Sequence, residues 1–357
     1  MDMEDNEIVP YTTEEQADLK EPLCVSCKLE QPLDGNPNLL CSNCRQNFIN
    51  YPIPRWIWAF GAGVLIVMSI AAFRMPAYLS AAIHLAKAEK AMDQKLFWTA
   101  QKELRQMEYL VPDNLIMNSK LFISACYNHD LLVLEQAYSK IVDKKFEDDE
   151  LYNEVEKAFA FVNNSFPADT IIPKKVELYR FNKDSLSKLS VDLFQAGGQD
   201  MISGQTVIAN ALYDLADYDA SDKILERVLT MDSNNYTALS LLSAVKRNKG
   251  QYDKAISFCD KMLDLNREDV MALNQKARVE LKRHKDNEAL KYAQQAMAID
   301  PNHLFSMEAK AMTDYFFGRK SESIKLLAKI KQGESFQGDS SISRRLEPIL
   351  NGSVKYR

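Results

Sequence analysis

The sequence predicts an all-α protein: a right-handed superhelix of stacked helix–turn–helix repeats, preceded by a transmembrane helix and a small zinc ribbon. Three observations predict it, namely a 34-residue period in the C-terminal half, an uncharged apolar stretch, and four cysteines in two CxxC pairs. Only 11 Gly and 12 Pro in 357 residues disfavour an all-β fold rich in tight turns. A net charge of −6 disfavours a protein that binds a phosphate backbone.

The apolar stretch is Trp56–Phe73, which carries no charge and is bracketed by Arg55 and Arg74. As a helix it spans roughly 27 Å at ~1.5 Å per residue, close to the ~30 Å hydrocarbon core of a bilayer. Two tryptophans near its start suit a membrane interface. A buried core helix and a signal peptide are the alternatives, but the stretch is apolar on all faces and follows an acidic segment. We therefore predict one transmembrane helix over residues 55–74.

The segment before the apolar stretch is predicted to hold a structural zinc ion. Residues 1–20 are acidic and expected to be disordered, 21–47 form a zinc ribbon, and 48–54 form a stiff linker containing two prolines. Four thiolates in two CxxC knuckles can surround Zn²⁺ tetrahedrally. The ligands would be Cys24, Cys27, Cys41 and Cys44.

This four-cysteine stretch resembles the short zinc ribbons at the cytoplasmic N-termini of many prokaryotic membrane proteins. Two disulfides or a redox CxxC pair are the competing interpretations, although a redox role would call for a thioredoxin-like βαβ unit. Thiolate sites are favoured in reducing compartments, so we expect a cytosolic N-terminus and a repeat domain on the opposite face. The charges that flank the apolar stretch favour the reverse orientation only weakly.

The 34-residue period begins at Ile202 and restarts at Tyr236, Val270 and Leu304. Small residues occupy the eighth and twentieth positions of every copy, and small or apolar residues occupy the twenty-seventh. In chain order these are Ala209, Ser221, Val228, Ser243, Ala255, Met262, Ala277, Ala289, Ala296, Ala311, Ser323 and Ile330. Small residues let the two helices of one copy cross closely, and neighbouring copies bury the remaining apolar faces.

This pattern resembles the tetratricopeptide repeat family, which implies four repeats over residues 202–337. The family's usual Trp at the fourth position is absent, and Leu239 and Leu273 fill it in two copies. An earlier copy is expected at 81–114, with its first helix beginning after Pro76. Residues 115–201 read as divergent helical hairpins out of register, with a loop from 166 to 173. After Gln332 the chain is expected to loosen, and 338–357 would form a capping helix and tail.

The resemblance implies that the first helices of the repeats line a peptide-binding groove. Carried over by position, the candidate residues combine amides, which can bond a peptide backbone, with cations, which can bind an acidic group. They are Asn210, Tyr213, Arg247, Asn248, Asn274, Gln275, Arg278, Lys282, Phe305, Glu308 and Tyr315. The clamp by which some family members hold a chaperone's carboxylate is not expected, because Thr206, Leu241 and Met271 occupy three of its positions.

These features favour a single-pass membrane protein that acts as a scaffold or adaptor for protein–protein interaction and is not an enzyme. The four histidines are scattered, and no P-loop, GxGxxG, nucleophile elbow or HExxH motif is present. Two alternatives stay open at this stage. One is a membrane-tethered zinc ribbon that binds nucleic acid, and the other is an enzyme whose site would be a buried, strongly perturbed carboxylate or histidine in a deep pocket.

Overall fold

The computed structural model describes residues 22–35, 37–49, 54–165, 171–198, 201–337 and 340–357, so the acidic stretch 1–20 lies outside the described residues. The predicted fold class is confirmed, since regular structure in these ranges consists of helices alone. The chain divides into two units, Met1–Arg74 and Met75–Arg357.

The first unit contains the cysteine cluster, the short helix α1 (Ser42–Ile49) and the start of α2 (Arg55–Asp93). Within the described part of the chain, α2 alone is long and apolar enough to cross a membrane. Its apolar window has a mean hydropathy of 2.1 and contains no buried residue. A new helix was expected to start after Pro76, but α2 continues through that residue. The Pro76 nitrogen carries no hydrogen, so the carbonyl four residues earlier lacks its usual helical partner.

The second unit continues with six helices before the predicted repeats. They are α3 (Phe97–Arg105), α4 (Leu115–Asn128), α5 (Leu131–Ile141), α6 (Asp149–Asn163), α7 (Ile171–Tyr179) and α8 (Lys183–Ala196). The starts of α4 and α6 are 149 − 115 = 34 residues apart, and Leu115 lies 34 residues after Ala81. The starts of α4 and α6 thus keep the 34-residue spacing, whereas α7 and α9 do not continue it. The spacing is hard to recognise because Phe122 and Leu134 replace the small residues of the eighth and twentieth positions.

Four helix pairs follow and coincide with the predicted repeats. They are α9 (Met201–Asp214) with α10 (Tyr218–Met231), α11 (Tyr236–Asn248) with α12 (Tyr252–Leu265), α13 (Val270–Lys282) with α14 (Asp286–Ile299), and α15 (Leu304–Phe316) with α16 (Lys320–Gln337). All residues at the eighth, twentieth and twenty-seventh positions are fully buried. In two pairs the serine hydroxyl of the twentieth position donates to the carbonyl of the eighth, from Ser221 to Ala209 and from Ser323 to Ala311, both at 2.8 Å. Small residues thus allow backbone and side chain to meet directly.

Two local predictions were wrong, and close packing explains one of them. Of the predicted loop over 166–173, residues 166–170 lie outside the described residues, whereas 171–173 are helical, because Pro173 falls in the first turn of α7, where no donor is needed. The chain does not loosen after Gln332, since α16 extends to Gln337. A Cβ at Gly333 would lie 2.8 Å from Leu304 Cδ2, so this glycine permits the close crossing of α15 and α16 rather than ending the helix. The predicted capping helix is present as α17 (Ser341–Leu350).

The helices before the repeats fold back onto the loops between repeats, at a contact that we call the junction. There the rings of Tyr127, His129, Phe161 and Tyr236 pack together, with 3.8 Å between the centroids of His129 and Tyr236. Hydrogen bonds reinforce the contact, including two from Thr99 to the Glu268 carboxylate at 2.6 and 2.8 Å and one between the backbones of Arg267 and Lys95 at 3.0 Å.

Candidate metal centre and peptide groove

The four predicted zinc ligands come together in the first unit. The sulfur atoms of Cys24, Cys27, Cys41 and Cys44 all lie within 4.8 Å of one another, and all four thiols are free. The Sγ atoms of Cys27 and Cys41 are 3.7 Å apart. A tetrahedral ion with ~2.3 Å Zn–S bonds requires sulfurs about 3.8 Å apart, so the donor set and its spacing fit zinc.

Backbone turns position these thiols. The N–H of Lys28 donates to the carbonyl of Cys24 at 2.9 Å, and the N–H of Arg45 donates to that of Cys41 at 2.9 Å, so each CxxC segment curls around its own sulfurs. Backbone N–H groups of Cys27 and Cys41 lower the pKa of the Cys24 thiol to about 6. Although the Cys44 N–H lowers the pKa of the Cys41 thiol, burial and neighbouring side chains raise it to about 12, so without a metal the four thiols do not titrate alike. Four cysteine ligands would leave no open coordination position, which is typical of a structural rather than a catalytic ion.

The predicted groove residues lie on the first helices of the four pairs. Most of them take part in hydrogen bonds to the first helix of a neighbouring pair. Three such bonds link successive helices: Asn248 Nδ2 to Tyr213 Oη at 3.0 Å, Arg247 Nη1 to Gln275 Oε1 at 2.5 Å, and Asn274 Nδ2 to Glu308 Oε2 at 2.7 Å. Amides that were predicted to bind a peptide therefore fix the helices relative to one another. Asn210 and Asn248 remain exposed to solvent.

Glu308 is the centre of this polar surface. Its side chain is fully buried and accepts two hydrogen bonds from the Arg345 guanidinium of α17, at 2.9 and 2.8 Å. The Arg278 guanidinium lies 3.6 Å away on the other side. Burial alone would raise the pKa of Glu308, but Arg345 and Arg278 hold it at about 2. Sequence reasoning missed Arg345, because it belongs to no repeat.

The groove carries more positive than negative charge. Arg278 and Arg345 flank the carboxylate of Glu308, Arg247 also interacts with it, and Lys282 lies near Arg247 and Arg278. Burial and the two nearby guanidinium groups lower the pKa of Lys282, as expected at a positive potential. The Nε atoms of Arg247 and Arg278 are buried and lack a hydrogen-bond partner among the described residues. Both atoms are enclosed by the protein, so they add to the positive potential of this surface without being open to a ligand.

The other two predicted groove residues of the last repeat pack against aromatic neighbours. Tyr315 lies edge-on to Phe316 with 5.2 Å between ring centroids, and the Lys320 ammonium lies 5.9 Å from the Tyr315 ring. Phe305 stacks on His303 at 5.6 Å, at the N-terminus of α15. Their aromatic faces are partly exposed and offer apolar contacts beside the charged centre.

A cavity of about 190 Å³ at the junction contains the features that an unrecognised active site was expected to show. Burial raises the pKa of Asp269 to about 6 and lowers that of His129 to about 4. Asp269, however, has a structural task, since it caps α13 through the N–H of Ala272 at 3.0 Å and accepts from the Tyr236 hydroxyl at 3.1 Å. The described residues that line the cavity include no serine, threonine, cysteine or lysine that could act as a nucleophile.

Comparison with known proteins supports the repeat assignment. The tetratricopeptide repeat family model matches residues 203–235, which correspond to the first clear repeat. None of the curated proteins matches the chain. Similar solved structures include a MamA RS-1 double mutant, with 16% identity, 46% of this chain and 91% of that chain covered, and a TM-score of 0.34. They also include yeast Tom70, with 15% identity, 71% and 62% coverage and a TM-score of 0.37.

A third similar structure is that of Pseudomonas aeruginosa PilF, with 12% identity, 76% and 98% coverage and a TM-score of 0.28. At TM-scores this low, the three likenesses carry no argument about what the chain binds.

Proposed function

We propose that the chain is a single-pass membrane scaffold built on tetratricopeptide repeats, and that its repeat groove binds an extended segment of a partner protein. The zinc ribbon is a structural element on the cytosolic side, and the repeats act on the opposite face. Binding and positioning of protein partners, rather than catalysis, is its role.

The observation that carries the proposal is the polar surface of the groove. Cations outnumber carboxylates around Glu308, since the guanidinium groups of Arg278 and Arg345 flank it and Arg247 and Lys282 lie nearby. A peptide carboxylate or backbone carbonyl is the kind of acceptor that a guanidinium binds best. The exposed amides of Asn210 and Asn248 can bond a peptide backbone at the same surface. A segment with acidic residues therefore fits the groove.

Site-specific photocrosslinking tests this function in cells. A photoreactive amino acid at Asn248 faces the groove, and one at Lys291 on the exposed side of α14 serves as the reference position. We expect position 248 to capture discrete proteins that position 291 does not. In an Arg247→Gln background, capture should fall about tenfold, equivalent to ~1.4 kcal/mol of binding free energy. The matched variant Arg267→Gln, an exposed arginine outside the groove, should leave capture unchanged. Identical protein sets from both positions would refute groove binding.

Protease protection tests the orientation. With tags at both ends of the chain, external protease added to right-side-out vesicles should digest the repeat domain and spare the zinc ribbon. The reverse pattern would place the ribbon outside and overturn the argument from thiolate chemistry. Digestion of both domains in intact vesicles would refute the membrane span itself.

A further inference from the structure

The segment Asn351–Arg357, which we call the tail segment, returns from α17 across the groove. Gly352 adopts a left-handed φ of 80°, and the N–H of Val354 donates to the carbonyl of Pro348 at 2.9 Å. This turn directs the chain back toward the C-terminal ends of α13 and α15. The first five residues of the segment are exposed, whereas Tyr356 is 9% exposed. The segment is therefore anchored through Tyr356 and Arg357.

Tyr356 occupies a site formed by α13 and α15. Its hydroxyl donates to the backbone carbonyl of Arg278 at 2.8 Å, and its own carbonyl accepts from the Lys282 ammonium. The same ammonium lies 4.5 Å from the centre of the tyrosine ring, and the Phe316 ring lies 6.0 Å away. The site thus makes apolar, cation–π and hydrogen-bonding contacts to one side chain and suits an aromatic residue with a polar tip.

Arg357 fills an adjoining site on α14 and α15. Its guanidinium binds both carboxylate oxygens of Asp286, with Nη2 to Oδ2 at 3.0 Å. It also donates to the carbonyl of Leu281 at 3.2 Å and lies 4.1 Å from the centre of the Phe316 ring. A planar cation that pairs bidentately and stacks on a ring is recognised as arginine rather than as a bare charge.

We propose that this surface is a binding site for a peptide in which an aromatic residue precedes arginine, and that the tail segment occupies it in cis until a partner's peptide of the same chemistry replaces it. The inference rests on the proposed function, because it names one part of the ligand of the groove. Exchange requires no rearrangement of the repeats, since the segment is held at two residues and its other five are exposed. A tethered segment acts at an effective concentration of about millimolar, so it masks the site against weaker ligands.

The cis contact also governs Lys282. The Tyr356 carbonyl accepts from one of the three N–H groups of this ammonium and the Tyr356 ring lies 4.5 Å from it, so fewer donors are open to a partner peptide that runs along the groove. A ligand that displaces the tail segment gains Lys282 together with the aromatic and arginine sites. A partner peptide without the aromatic–arginine pair cannot displace the tail segment and binds only the part of the groove that the segment leaves open.

Fluorescence anisotropy with the full chain in detergent tests the inference. The probe is a labelled peptide with the sequence of Gly352–Arg357, and the receptor is the chain carrying Tyr356→Ala and Arg357→Ala. We expect the probe to bind this receptor at least about tenfold more tightly than it binds the wild-type chain, whose site is occupied. Adding Asp286→Asn to the receptor should abolish binding. The matched Asp253→Asn, at the start of α12, should not, and a probe with alanine in place of tyrosine should not bind.

Two results would overturn the inference: no binding of the probe to a receptor whose helicity and melting temperature match the wild type, or equal binding to wild-type and tail-substituted chains. The photocrosslinking result at Asn248 separates the two proposals. Arg247-dependent capture without probe binding removes the aromatic–arginine site and leaves groove binding standing. Probe binding without such capture establishes the site and removes the wider groove function.

Discussion

Replacing Glu308 by glutamine should destabilise the repeat domain more than any exposed charge substitution. The carboxylate is fully buried and is the counter-charge of Arg345 and Arg278. Glutamine keeps the shape and the bond from Asn274 but leaves two guanidinium groups without their partner. Breaking a buried ion pair from one side typically costs about 3–5 kcal/mol, and the lower end applies here, because Arg278 stays buried but the Arg345 side chain is 37% exposed.

The pKa of Glu308 gives a second estimate of the stability lost in Glu308→Gln. A carboxyl group whose pKa falls from 4.5 in the unfolded chain to about 2 in the folded one contributes about 3 kcal/mol of stability at neutral pH. Because the folded-state pKa is lowered, this contribution is present above pH ~4.5 and is lost as the pH falls toward ~2. At about 2 °C per kcal/mol for a large domain, Glu308→Gln should lower the melting temperature by roughly 6 °C at pH 7.

Thermal unfolding of the detergent-solubilised chain, followed by far-ultraviolet circular dichroism, measures this shift. The matched control is Glu347→Gln, since Glu347 pairs with Lys331 at 2.7 Å but both side chains are almost half exposed. An exposed pair contributes about 0–1 kcal/mol, so the control should melt within about 2 °C of the wild type. The gap between wild type and Glu308→Gln should narrow below pH 4.5. Equal melting temperatures for the two variants, or a gap that is constant from pH 7 to pH 3, would refute the reasoning.

Three further predictions concern the metal, the junction and the repeat crossings. The purified chain should contain about one zinc per molecule by mass spectrometry. The variant Cys24→Ser should lose this zinc, whereas Cys126→Ser, which changes a buried cysteine of the second unit, should keep it. Equal zinc content in both variants would contradict the zinc ribbon. Asp269→Asn should stabilise the chain at pH 7.5 by up to about 3 kcal/mol, because the raised pKa of this carboxyl means that wild-type stability is lost as the pH rises through ~6. Asparagine can keep the cap, so the advantage in melting temperature should disappear below pH ~4, and a pH-independent effect would argue against burial as its cause. Ala255→Leu should overpack the α11–α12 crossing and lower the free energy of unfolding in denaturant by about 1–3 kcal/mol. The control Ile324→Leu, at an exposed position, should leave it unchanged. Equal losses of stability would show that the twentieth position is not confined.

The sequence by itself determined the features that depend on neighbours along the chain. Small residues every 34 positions must become close helix crossings, because the two helices that meet are joined by a short turn, and the structure buries every one of them. The Cys24–Cys44 cluster follows in the same way, since each CxxC pair is brought together by its own backbone turn. The apolar start of α2 is an equally local property, as hydropathy and length alone identify it.

Tertiary structure alone decided how the charged residues of the predicted groove are paired. Arg278 and Lys282 appear in the sequence as free cations, yet one faces Glu308 and the other binds the tail segment. The bond from Tyr356 to the Arg278 carbonyl spans 78 residues, and that from Arg345 to Glu308 spans 37. A residue pattern in the sequence predicts which side chains are buried within one turn or one repeat. The residues of these two hydrogen bonds are distant in sequence and meet because the stacked helix pairs and the capping helix come together in the fold. The junction shows the same limit, because Thr99 and Glu268 are 169 residues apart and only the path of the folded chain brings them into contact.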